Sequence, residues 1–78
     1  MQNSHDKEIL YLIVLKHEEH GCYTKKIHGN DGFVREVKID RDGLVYDNMP
    51  IMKIFRGYNP GELESKAKKY ISDLEEKL

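Results

Sequence analysis

The sequence predicts an α+β fold: a meandering antiparallel sheet of four or five strands, packed on one face by a C-terminal α-helix. Three observations lead there. Residues 8–17, "EILYLIVLKH", are rich in β-branched and aromatic side chains, the composition of a strand. Clusters of Asn, Asp and Gly stand at 29–32 and 40–43, where they suit the turns between short antiparallel strands. Beyond residue 59 the apolar residues recur at helical spacing, the mark of an amphipathic helix.

Taken in order, residues 1–7 are polar and charged and are expected to fray. The strand at 8–17 is followed by a turn, "EEHG", and by a weaker strand candidate, "CYTKKIH", at 22–28. "GNDG" at 29–32 has hairpin chemistry. In "FVREVKID" (33–40), Phe33, Arg35, Val37 and Ile39 share one face of an extended chain, with Val34, Glu36, Lys38 and Asp40 on the other. That alternation predicts a half-buried antiparallel strand. "DRDG" turns the chain at 40–43, and Gly43 suits a positive φ. "LVYD" (44–47) returns as a short strand, "NMP" (48–50) breaks it, and "IMKIF" (51–55) forms a last strand placed at a sheet edge. For the helix, Asn59 is the cap, Pro60 the first position, and Glu62 stands three residues after the cap, a recognisable N-terminus. Leu63, Ala67, Tyr70, Ile71, Leu74 and Leu78 form one stripe, so the helix is predicted from about 60 to 78. With no internal repeat, low-complexity segment or linker, 1–78 is read as a single domain.

Composition narrows the functional classes. The chain has 13 basic and 14 acidic residues, a formal charge of −1, and the signs are mixed along it. Bulk electrostatics therefore point neither to nucleic acid nor to a membrane surface. The run "ILYLIVL" (9–15) is far shorter than the ~20 residues of a membrane-spanning helix. Cys22 is the only cysteine, so no disulfide forms within the chain. Together with a start that lacks the apolar core of a signal peptide, this predicts a cytoplasmic setting.

The first strand poses the main question. Ile9, Tyr11, Ile13 and Leu15 face one way and Leu10, Leu12 and Val14 the other. A single helix covers one face of a sheet, so something else must cover the second. The sheet can curl around the strand, a second copy can pack on it, or a foreign protein can bind. Covering three such side chains at ~100 Å² each is worth roughly 7 kcal/mol, a large share of the ~5–15 kcal/mol by which domains are stable. The expected function is thus a non-catalytic small accessory module that acts by macromolecular binding. Contact would be protein–protein interaction or self-association into a homodimer through the first strand, with Leu10, Leu12, Ile13 and Val14 as the partner-binding residues. Leu12→Lys or Ile13→Lys, whichever side chain faces away from the helix, is then expected to break association and spare the fold.

The chemistry-bearing residues support weaker alternatives. His17, His20, Cys22 and His28 are competent metal ligands, and four such groups can hold zinc. Their spacing nevertheless fits neither H-E-x-x-H nor paired C-x-x-C knuckles, and a polar turn accounts for "HEEHGC" without a ligand. No metal and no cofactor are expected. The neighbouring carboxylates Glu18 and Glu19, and Asp40 and Asp42, lie in turns where water is the natural neighbour. Cys22 stands near histidines that lower a thiol's pKa when charged, but no nucleophile elbow, P-loop or dinucleotide fingerprint is present. Enzymatic activity is not expected. A nucleic-acid-binding alternative rests on Lys25, Lys26, Arg35, Lys38 and Arg41 in the central hairpin. If 22–28 and 33–40 pair, Lys26 and Lys38 share a face, and a small sheet backed by a helix can enter a major groove. Interleaved Asp31, Glu36, Asp40 and Asp42 oppose phosphate.

Overall fold

The structure, a computed structural model, describes residues 8–17, 19, 21–41 and 43–76. The fraying expected at 1–7, the helix end at Lys77 and Leu78, and the roles weighed for Glu18, His20 and Asp42 lie outside the described residues. The elements run β1 (Leu10–His17), β2 (Gly21–His28), α1 (Gly29–Glu36), β3 (Val37–Asp40), β4 (Gly43–Tyr46), β5 (Met49–Gly57) and α2 (Pro60–Glu76). The five strands form an antiparallel sheet in the order β2-β1-β5-β4-β3, with α2 against it. The predicted α+β fold is present.

Two elements differ from the sequence reading. Residues 29–36 form a helix rather than a turn and the first half of a strand. Strand alternation would have placed Arg35 on the buried face beside Phe33 and Val37. A helix instead puts Phe33 and Val37, four residues apart, on one side and leaves Arg35 exposed. Gly29 opens this segment at φ 79, a conformation that costs other residues about 1–2 kcal/mol, and its N–H donates to the Ile9 carbonyl at 2.8 Å. Phe33 then stacks on Tyr11, ring centroids 4.2 Å apart, and the Tyr11 hydroxyl donates to Asn30 Oδ1. The second correction concerns the last strand. It begins at Met49 rather than 51 and lies inside the sheet between β1 and β4, not at an edge.

A bulge explains how β5 serves both faces. Val14 pairs with Lys53, but Leu15 pairs with Ile51, so Met52 is skipped. Ile51 and Ile54, three apart, would face opposite ways in a regular strand. The extra residue returns both to the cluster around Ile13. The hydroxyl of Tyr70 in α2 donates to the Met52 carbonyl at 3.4 Å. Pro50, which has no N–H, falls just beyond the end of the β1 pairing, where a ladder tolerates it.

The helix α2 starts as predicted. Asn59 Oδ1 accepts the Glu62 N–H at 3.2 Å. Leu63 and Ala67 are buried, with Tyr70 and Ile71 half-buried against the same cluster. Gly57 makes room: a Cβ there would stand 3.3 Å from Leu63 Cδ2.

Both faces of β1 are consequently closed by the chain itself. Leu10, Leu12 and Val14 pack with Leu63 and Ala67 under α2. Tyr11, Ile13 and Leu15 pack with Ile27 and Val37, and Phe33, Tyr46 and Met49 complete the cover. The near-continuous apolar run of 9–15 is that of an interior strand with elements on both sides. Of the three ways to cover the second face, closure by the chain's own neighbours is the one present, and α1, standing where a turn and strand are expected, supplies Phe33 to it.

Candidate protein-binding edge

The apolar residues of β1 do not form a free surface. Leu10, Leu12, Ile13 and Val14, the predicted contact residues, are only 6, 2, 0 and 0% exposed. What stands open beside them is β2. It pairs with β1 along its whole length, from Leu10↔His28 to His17↔Gly21, and ends the sheet on that side. Among the described residues no further strand lies beyond it. Half of its backbone N–H and C=O groups therefore point outward, ready for another strand.

Register assigns the side chains of β2 to faces. Thr24 opposes Val14 and Lys26 opposes Leu12, on the α2 side. Tyr23 and Lys25 oppose Leu15 and Ile13, on the α1 side. Between β2 and α2 runs a groove of about 400 Å³, with Leu12, Ala67 and Ile71 as its floor and Thr24, Lys26 and Lys68 on its rim. Lys26 Nζ reaches Glu64 across it at 3.1 Å. That leaves Lys68 on this rim without an ion pair among the described residues, and Lys25, on the α1 side of the same strand, is likewise unpaired there. On the α1 side the Tyr23 hydroxyl donates to Met49 Sδ at 2.7 Å and fixes the ring.

No protein-family model, curated protein or solved structure matches this chain.

The structure disperses the other predicted sites. The Nδ1 of His17, at the end of β1, accepts the Glu19 N–H at 3.1 Å, and its register with Gly21 puts it on the Leu15 side. Cys22 faces the other side, its Sγ 3.6 Å from Met52 Sδ in the α2 cluster. His28, at the far end of β2, lies 3.5 Å from Glu8. Along a strand it is roughly 20 Å from Cys22 at ~3.4 Å per residue. His17, Cys22 and His28 do not converge, and no group of three possible metal ligands occurs among the described residues.

The basic set is divided as well. Lys25 and Lys26 are on β2, while Lys38 is on β3 at the opposite end of the sheet. At ~4.8 Å per strand the two edges are roughly 19 Å apart. Arg35 is on α1 and Arg41 follows β3. The expected pairing of 22–28 with 33–40, which would have put Lys26 beside Lys38, does not occur.

Sequence reading missed Thr24, Glu64, Lys68 and Ile71 as groove residues. One signal was available: two consecutive lysines in a weak strand are typical of an edge. Nothing local links α2 residues to that edge, because the groove exists only once α2 is docked.

Proposed function

We propose that this chain is a non-catalytic accessory module that binds another protein by strand addition along β2. The observation that carries the reading is the eight-residue outer edge of β2 with the α2 groove running alongside it. In strand addition, main-chain hydrogen bonds supply affinity and pockets for alternate side chains supply specificity. An incoming strand would lay every second side chain toward Leu12, Ala67 and Ile71. Its acidic residues would meet Lys25 on the α1 side and Lys68 on the groove rim, neither of which forms an ion pair among the described residues. The occupant is thus an extended, apolar-and-acidic segment of a partner protein.

Selection of displayed peptides against the full chain, followed by titration of the winners, tests this. Enriched peptides should alternate apolar with acidic residues and slow amide exchange along β2. Lys25→Glu or Lys68→Glu should weaken them about tenfold, ~1.4 kcal/mol. Absence of enrichment, or binding indifferent to both substitutions, contradicts the reading.

A further inference from the structure

The opposite edge of the sheet supports a second contact, independent of the β2 reading. β3 is short, Val37–Asp40, and pairs only with β4 among the described residues. Ile39 on this strand is 86% exposed, the most exposed of the large apolar residues described. Its cross-strand partner is Leu44, 36% exposed. Directly opposed residues project to the same face, so the two form one apolar patch on the face where Val37 and Tyr46 enter the core.

We infer that β3 is a homodimer edge, pairing antiparallel with β3 of a second copy about a twofold axis at Ile39. The charge pattern selects both the partner and the register. Centred on Ile39, the pairing sets Lys38 against Asp40 of the second copy and Asp40 against its Lys38, while the two Ile39 side chains meet. A Leu44–Ile39–Ile39–Leu44 row then crosses the junction. Moving the axis to Lys38 opposes the two lysines. Moving it midway between Lys38 and Ile39 opposes each lysine to isoleucine and each Asp40 to Val37. Opposite charges directly across a pair stabilise it and like charges disfavour it. The β2 edge has no such self-match: "GCYTKKIH" contains two lysines and no carboxylate, so registers centred on its lysines repel. A C₂ contact requires a self-complementary patch, and of the two edges only β3 has one.

Neither charge is committed elsewhere in a way that blocks this. Lys38 Nζ donates to the Arg35 carbonyl at 2.9 Å, and Asp40 Oδ1 accepts the Arg41 N–H at 2.7 Å. Both side chains are exposed and keep further donors and acceptors. The pairing is short beside a standard interface of about 800 Å² per partner, so the dimer is weak, with a Kd above about 1 μM.

Sedimentation of the full chain over a concentration series tests the inference. The wild type should pass from monomer to dimer as concentration rises. Lys38→Glu alone and Asp40→Lys alone should each weaken dimerisation at least tenfold, with unchanged circular dichroism. Mixed together, these two variants should restore a one-to-one dimer, because each then supplies the charges the other requires. The double variant Lys38→Glu/Asp40→Lys should dimerise by itself. A wild type that stays monomeric throughout overturns the proposal. So does a dimer indifferent to both single substitutions, or a mixture of the two that stays monomeric.

Discussion

Ile13 illustrates how one residue changes meaning with its surroundings. In a sheet with one helical lid it would be half of a sticky surface. Here it has no exposure at all, with Ile54 opposite on β5 and Lys25 opposite on β2. Ile13→Lys should therefore unfold the chain, and Leu12→Lys likewise, rather than release a partner and spare the fold. Ile13→Ala should lower unfolding free energy in urea by about 2–5 kcal/mol. A folded, merely monomeric Ile13→Lys protein would show that this side chain meets solvent. A second residue-level prediction concerns the β4–β5 turn. Asp47 and Asn48 have φ of 52 and 65, and Tyr46 pairs with Met49 around them. That is the two-residue type I′ geometry, for which glycine at the second position is favoured. Asn48→Gly should raise stability by a few tenths to about 1 kcal/mol, seen as a higher thermal midpoint. A lower midpoint would contradict that turn assignment.

At the scale of elements, α1 decides whether β1 is closed. It has no fully buried residue and is held through the Phe33–Tyr11 stack, the Tyr11–Asn30 hydrogen bond and the Gly29–Ile9 link. Phe33→Ala should cost about 1–3 kcal/mol, less than full burial implies because Phe33 is only half-buried, and should speed amide exchange over 29–36 before the rest of the chain. Uniform loss of protection would mean that α1 does not open separately. Legibility follows the same division. The C-terminal helix was readable because its cap, its first-turn proline and its stripe agree. The strand character of 10–17 and the turn at Gly43, with φ 127, were readable for similar reasons. At 29–37, Gly and Asp resemble a hairpin, and Phe33 and Val37 satisfy both a period of two and an i, i+4 spacing. Only Arg35, misplaced on the apolar side of a strand, spoke for the helix. The strand at 51–55 was readable, but Pro50 hid its start at Met49, and the Met52 bulge, which breaks the alternation, hid its place inside the sheet. The candidate edge was less legible still, since strand order follows from long-range pairing.

At the scale of the molecule, no helix among the described residues is long and apolar enough to cross a membrane. Its two sheet edges are chemically unlike: β2 is cationic with a groove beside it, and β3 has alternating charge around an exposed isoleucine. Lys25 and Lys26 on β2 are separated from Lys38 on β3 by the width of the sheet, and the net charge is −1. In a gel shift at low salt the chain should not retard duplex or single-stranded DNA. Retardation that falls steeply with added salt, as counterion release requires, would instead favour the nucleic-acid alternative. A closed interior β1 and a self-pairing β3 edge are the two features on which both proposals turn. Residue-resolved hydrogen exchange at low and high protein concentration tests this most directly. The amides of Leu12–Leu15 should exchange only through global unfolding at both concentrations, while protection in β3 rises with concentration. Fast exchange in Leu12–Leu15, or protection there that grows with concentration, would show that β1 is an open surface after all.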